Sequence, residues 1–495
     1  MEKIKNEIRN KIHDKKLYFF AIVTVLFFGV FCIMQYAPDT YTVFTDDIDN
    51  RITHFCSCGR FVSGLYLYFV RKVFDIGNRG TYFISYFMAI ICMSISLYKL
   101  YNIIRSDISN NTVISVLTTI MIIINPFSIE LFLYIEKGII ILSILLCILA
   151  IEQIIKYFKE KSKIAIFWGI VFMTISNCCY QGTVGLFFGI SLIYIIKYSK
   201  NISEFIKNNI IVVIEYGIPA IINFLIIKFM AINSRVSGNI IFSDSIKKII
   251  DGTKSMLFYS YGILPKFYFI TMIIILLVFI IYKSFIQKSS IKEKILNILG
   301  IIYIILGLLA VTIMPQLLQD TNSIWFVARS SYPMGAILGI MLLYILLNID
   351  LKKLDKLFLI AIIIIFLSIQ FCSFMRFSID NYIGNYMDKT ITLNIESIIE
   401  EYEFKTGEKV DSIAIYRDSV RQYMYPELKM SGDMNIKAYS ADWCIPGIIK
   451  LYTNRNLKIV ESREDLNEKF LQKNWDYFDR EQIVFDHNVM HICIF

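Results

Sequence analysis

Residues 17–34 read LYFFAIVTVLFFGVFCIM, eighteen positions without a charge. A helix of that length, rising about 1.5 Å per residue, covers most of the roughly 30 Å hydrocarbon core of a bilayer. No small-x-small cleavage site follows it, so the stretch is expected to remain as an anchor. Ten further apolar blocks follow, at 82–104, 112–127, 138–155, 164–178, 183–196, 210–231, 267–282, 295–314, 332–347 and 357–375. Composition agrees with that repetition. The 495 residues are 56% hydrophobic and 18% charged, against about a quarter charged in soluble domains. The expected fold is a polytopic α-helical membrane protein of about eleven transmembrane helices. The stretch 62–74, apolar on one side and ending in Arg71-Lys72, reads as an interfacial helix.

The charge divides unevenly along the chain. Residues 1–375 hold 35 Lys+Arg and 21 Asp+Glu, a net +14, and residues 376–495 hold 15 and 20, a net −5. The basic excess thus belongs to the membrane part, where it reports topology. No Lys/Arg stripe interleaved with aromatics is present, which discards nucleic acid as a partner. Of the 35 basic residues, 22 fall on the side that holds the N-terminus, in short loops such as KYFKEKSK (156–163) and DLKKLDK (350–356). By the positive-inside rule that side is cytoplasmic, and an odd number of spans places residues 376–495 outside. The outer face then gathers 35–81, 128–137, 233–266 and 315–331, with a small turn NCCYQG at 177–182.

The division is therefore a transmembrane domain, 1–375, and a soluble extracytoplasmic α/β domain, 376–495. In the latter, Ile391, Ile395, Ile398, Ile399 and Tyr402 keep helical spacing. SIAIY, LKIVE, QIVF and MHICIF read as short strands. Neither a phosphate-binding glycine loop nor a dinucleotide fingerprint occurs, so ATP-driven transport by this chain alone is disfavoured.

One polar stretch breaks the apolar pattern early: FTDDIDNRITHFCSCGRF, residues 44–61. Asp46 and Asp47 are adjacent carboxylates, whose repulsion near lipid raises one pKa toward the range of a general base. Read locally, the same acids cap and fill the first turn of a helix. Arg60 follows a glycine, and its guanidinium fork suits phosphate oxygens or serves as an interfacial anchor. His54, Cys56 and Cys58 lack further ligands at a zinc spacing, so no metal and no cofactor is expected. Cys444 and Cys493 fit either a disulfide or two thiols.

Other candidates recur at outer span ends. NPFSIELFLYIEKG (125–138) carries Glu130, Glu136 and Lys137, with Lys137 in reach of a phosphate and Glu136 of a substrate. In NCCYQG, Tyr180 beside Gln181 could hold a sugar ring, although a helix hairpin needs polar turn residues anyway. Arg329 in IWFVARSSYP is a cation on the face where positive-inside statistics disfavour one, and a lipid phosphate would partner it. Arg235 is a lesser case of the same kind. Glu215 is the main charge inside a span, readable as a proton relay or a packed carboxyl.

A first span followed by an external Asp-Asp and then a Gly-Arg opening an interfacial helix resembles the GtrII-type bacterial membrane glucosyltransferases of the GT-C class. NPFSIELFLYIEKG, NCCYQG and VARSSYPMGAILG add to that resemblance, while Cys56 and Cys58 belong to no pattern of the family. The resemblance implies a multi-pass enzyme of the bacterial cell membrane. Its donor is a polyprenyl-phosphate-linked sugar, often glucose, and its acceptor a cell-surface polysaccharide. Asp46 or Asp47 would be the base, Arg60, Lys137 and Arg329 would hold the donor phosphate, and Glu136, Tyr180, Gln181 and Arg235 would contact substrate. The competing readings are a polysaccharide polymerase and a flippase or transporter for lipid-linked glycans. A transporter would want mid-bilayer polar sites and an inverted repeat, and neither is evident.

Overall fold

The computed structural model describes residues 14–33, 35–44, 48–230, 241–286, 291–317, 321, 324–417, 428–432, 434–471 and 478–494. Among these, the helices in chain order are α1 Lys15–Phe28, α2 Ile48–Ser57, α3 Phe61–Leu67, α4 Asn78–Asp107, α5 Thr112–Ile123, α6 Lys137–Glu160, α7 Lys163–Cys179 and α8 Gly185–Tyr198. They continue with α9 Ile202–Met230, α10 Phe242–Lys254, α11 Tyr268–Ile286, α12 Ile291–Leu317, α13 Ile337–Asn348, α14 Lys353–Thr406, α15 Ile445–Thr453 and α16 Glu464–Leu471.

Eight helices among the described residues are long and apolar enough to cross a membrane. A ninth passage forms if α5 is joined to the 3₁₀ helix Pro126–Leu133, bent from it by 50°. The shorter α7 and α13 are also apolar. Each of the eleven apolar blocks in the sequence overlaps one of these helices among the described residues. The bend after α5 has a local cause. Pro126 cannot donate a backbone N–H, and Asn125 caps the new segment by accepting from the Phe127 N–H at 3.0 Å.

Helix α6 is the centre of the bundle, packed between α4 and α7. Its first turn meets α4 at Gly138, whose N–H donates to Ser85 Oγ at 2.8 Å. A Cβ at Gly138 would stand 2.7 Å from the Ser85 carbonyl, so only glycine permits that approach. At the bundle surface the order reverses. Ile221 and Phe224 on α9, Leu299 and Leu306 on α12 and Ile364 and Ile365 on α14 point their apolar side chains outward, as suits hydrocarbon surroundings.

The expected interfacial stretch at 62–74 is α3 followed by a π turn, Tyr68–Val73. Leu67 and Val70 are buried, while Leu65, Phe69, Val73 and Phe74 are exposed.

The last span does not stop near residue 375. Helix α14 runs unbroken for 54 residues, about 80 Å, so the boundary at 375/376 falls inside one helix. Residues 376–390 are polar enough to end an apolar block, yet they contain no proline and need no lipid to stay helical. Their side chains grip the first polar loop instead. Asn381 and Asn385 both donate to the Tyr36 carbonyl at 3.2 Å, and the Asp388 Oδ1 accepts from the Ala438 N–H at 3.1 Å.

Beyond α14 the four expected strands are present: β1 Ser412–Arg417, β2 Lys458–Val460, β3 Ile483–Asp486 and β4 Val489–Ile494. They form one sheet in the order β2-β1-β4-β3, with β1 parallel to both neighbours and β3 antiparallel to β4. This small α/β unit shares a hydrophobic core with the loop after α1. Tyr36, Tyr41 and Phe44 pack with Ile395 and Ile399 of α14 and with Tyr439, Ile445 and Ile448. The loop and the C-terminal unit therefore lie at the same end of the bundle. No disulfide joins Cys444 and Cys493. The Cys444 thiol donates to the Pro38 carbonyl at 3.0 Å, and Cys493 packs with Tyr416 and Phe470.

Candidate active site

A cavity of about 570 Å³ opens where the bundle, the loop after α1 and the C-terminal unit meet. That volume lies within the roughly 300–1,000 Å³ usual for ligand sites. Its walls come from distant parts of the chain: Asp39, Arg51, His54, Cys58 and Arg60, then Tyr134 and Glu136, then Tyr180, Trp325 and Arg329, and finally Trp443. A smaller chamber of about 170 Å³ shares Arg60, Tyr180, Trp325 and Arg329 and continues toward α8 and α12, past Gly182, Thr312, Gln316 and Pro333.

Arg60 is aimed by a turn that glycine makes possible. Gly59 has φ +75°, a conformation side chains rarely adopt. A Cβ there would stand 2.5 Å from Asn223 Oδ1 and 2.8 Å from Gln181 Nε2. Those two amides hold the turn: Asn223 donates to the Gly59 carbonyl at 2.9 Å and Gln181 to the Cys58 carbonyl at 3.2 Å. Gln181 thus has its amide engaged by the protein while its side chain lines the smaller chamber. The Arg60 guanidinium lies 4.8 Å from the centre of the Tyr180 ring and 3.6 Å from Glu136. Its Nε is buried with no hydrogen bond among the described residues, an unsatisfied donor. Tyr180 and Gln181 line the smaller chamber together with Arg60.

Arg329 is fixed from behind. Glu130, fully buried in the 3₁₀ segment after α5, accepts from the Arg329 backbone N–H at 2.7 Å and pairs with its guanidinium. That guanidinium stacks 4.9 Å from the Tyr134 ring. Burial of a charge is tolerable because the pair satisfies it, and the result is a rigid cation facing the cavity. Glu136 is only 3% exposed. Burial pushes its carboxyl above the usual range, with the Arg60 guanidinium opposing. Burial likewise raises the Tyr180 hydroxyl, opposed by Arg329 and then Arg60.

Three wall residues carry no obvious signal in the sequence. Asp39 sits in a short helical turn, Pro38–Tyr41, and its Oδ1 accepts from Trp443 Nε1 at 3.1 Å. Arg51 donates through Nε to the Thr42 carbonyl at 3.0 Å. Burial pulls its guanidinium down, with Asp39 as the main opposing charge. Trp443 arrives from the C-terminal unit, some four hundred residues along the chain from Asp39. A proline-led turn with an acid reads locally as a cap, so only the fold reveals Asp39 as a cavity carboxylate.

Lys137 does not line the cavity. Its buried ammonium lies 3.6 Å from the centre of the Tyr82 ring and has no hydrogen bond among the described residues. Asp46, Asp47 and Arg235 lie outside the described residues. Glu215 is buried within α9 against Gly169 of α7 and is not among the residues lining either chamber. Among the described residues no group of three or more His, Cys, Asp or Glu is set to hold a metal ion. His54 Nε2 and Cys58 Sγ lie 3.9 Å apart, and Cys56 packs against Gly64 of α3.

The chain matches no protein-family model, no curated protein and no solved structure. The chemistry of the cavity must carry the functional reading. Two carboxylates, Asp39 and Glu136, and three guanidiniums, Arg51, Arg60 and Arg329, surround one space beside an apolar bundle. Such a set can take a proton from a hydroxyl and hold a developing anion.

Proposed function

We propose that this chain is a membrane glycosyltransferase of the GT-C class, similar to GtrII-type glucosyltransferases. It would move a sugar, glucose by resemblance, from a polyprenyl-phosphate donor to a hydroxyl of a cell-surface polysaccharide. In this reading the eleven helices all cross the bacterial cell membrane. The N-terminus is cytoplasmic and the C-terminal unit extracytoplasmic. The observation that carries the reading is the convergence of Asp39, Glu136, Arg60 and Arg329 on one cavity at the end of an apolar bundle. A lipid-linked donor has its chain in the bilayer and its phosphate at the surface, which is where such arginines are useful.

The chemistry is a single displacement. An acceptor oxygen forms a bond to the anomeric carbon as the bond from that carbon to the phosphate oxygen breaks. The electron pair leaves with the lipid phosphate, whose charge is met by Arg60 and Arg329. The acceptor proton goes to a carboxylate of the loop after α1. Asp39 is the carboxylate of that loop on the cavity wall. Asp46 and Asp47, a few residues further on, are the bases that the sequence resemblance implies. A positioned base is worth about 10² to 10⁴ in rate, and one charge contact to the leaving group about 10² to 10³.

Mass spectrometry of surface glycans from cells with and without the gene tests the reading. A hexose decoration present only with the gene is the expected result. Identical glycans in both, with the protein present in the membrane, would refute it.

A further inference from the structure

Among the described residues two tryptophans, Trp325 and Trp443, line the large cavity. Trp325 is 42% and Trp443 50% exposed, unusual for side chains whose neighbours are mostly buried. An indole held half bare in a polar cavity keeps apolar area in water unless something covers it.

Trp443 is held there by more than its own side chain. Its 3₁₀ turn, Asp442–Cys444, is tied down by the Cys444 thiol bonding to the Pro38 carbonyl. The following helix α15 presses so closely on the loop that a Cβ at Gly447 would meet the Tyr41 carbonyl oxygen at 1.9 Å. Its Nε1 is bonded to Asp39. The ring therefore stands at a fixed place beside Asp39, the carboxylate of that loop on the cavity wall.

From this geometry we infer that Trp443 forms the docking subsite for a pyranose of the acceptor polysaccharide, so that the C-terminal unit supplies part of the active site. The inference rests on the glycosyltransferase reading. A pyranose has one face of C–H groups, and these pack on the electron-rich face of an aromatic ring. The anionic donor phosphate has the opposite preference and is served by Arg60 and Arg329. The two substrates thus take different walls of one cavity. A sugar stacked on Trp443 presents its hydroxyl edge toward Asp39, because the indole edge is already there.

The test uses the full chain in nanodiscs with polyprenyl-phosphate glucose as donor. The acceptor is unmodified surface polysaccharide purified from cells lacking the gene. Trp443→Ala is expected to raise the acceptor KM about three- to tenfold, the range of one lost aromatic contact, while the donor KM stays within about 1.5-fold. Trp443→Phe keeps a ring but loses the N–H to Asp39. It should hold the acceptor KM near wild type and lower kcat, a split that a merely structural role would not give. In parallel, the polysaccharide alone should quench tryptophan emission in wild type and in the control Trp168→Phe, and markedly less in Trp443→Ala. An unchanged acceptor KM in Trp443→Ala, or donor and acceptor KM rising together, overturns the subsite. If wild type transfers nothing, the glycosyltransferase reading fails instead. The quenching result then decides on its own whether Trp443 meets a glycan.

Discussion

Glu136 lies between two opposing effects: burial favours its neutral form, and Arg60 at 3.6 Å favours its charged form. Burial is the larger, so the folded carboxyl titrates above the unfolded one. The contribution to stability is then complete below the ordinary glutamate range and declines as pH rises through the folded value. Melting of the detergent-solubilised protein should reflect this. From about pH 4.5 upward, wild type should lose stability that Glu136→Gln does not lose. Parallel pH profiles for the two proteins would show that the carboxyl is not perturbed.

At this scale the sequence was partly readable. Arg60, Arg329 and Glu136 stand out because charges at span ends need partners. Asp39 and Trp443 do not, since their meaning lies in a contact between the two ends of the chain.

The turn through Gly59 shows how an element is built to present one side chain. Positive φ and the approach of Asn223 and Gln181 both demand glycine. Gly59→Ala should destabilise the protein by about 1–3 kcal/mol, the range of local backbone strain, and lower transfer through misplacement of Arg60. Thermal melting and activity measured on one preparation check this. A variant with wild-type melting and wild-type rate would mean that the turn does not position Arg60.

Regular elements were legible where period and composition coincide. The apolar blocks and the four strands of the C-terminal sheet follow directly from their patterns. The continuity of α14 was hidden, because residues 376–390 lose their apolar character when they leave the bundle but not their helix. The buried 3₁₀ segment that carries Glu130 was hidden for a similar reason. Its burial comes from the helices around it and has no local signature.

As a whole, the molecule is an apolar bundle with its polar chemistry drawn to one end, where the loop after α1 and the C-terminal unit share a core. In the proposed reading that end faces outside, as the positive-inside count of the sequence leads one to expect. Phe404, 91% exposed near the end of α14, is a suitable probe. A cysteine placed there should react with a membrane-impermeant maleimide on intact cells, above the background of the unaltered protein. Labelling that requires opening the cells would reverse the topology and remove the donor's access to the cavity.

In the proposed reaction a loop carboxylate and two arginines act together on a lipid-phosphate sugar. The most direct test is release of polyprenyl phosphate by purified protein in nanodiscs, given polyprenyl-phosphate glucose and unmodified surface polysaccharide. Wild type should release it, while Asp39→Asn, folded by melting, should fall by about a hundredfold or more. Release at the wild-type rate by Asp39→Asn, or no release by wild type, would contradict the account.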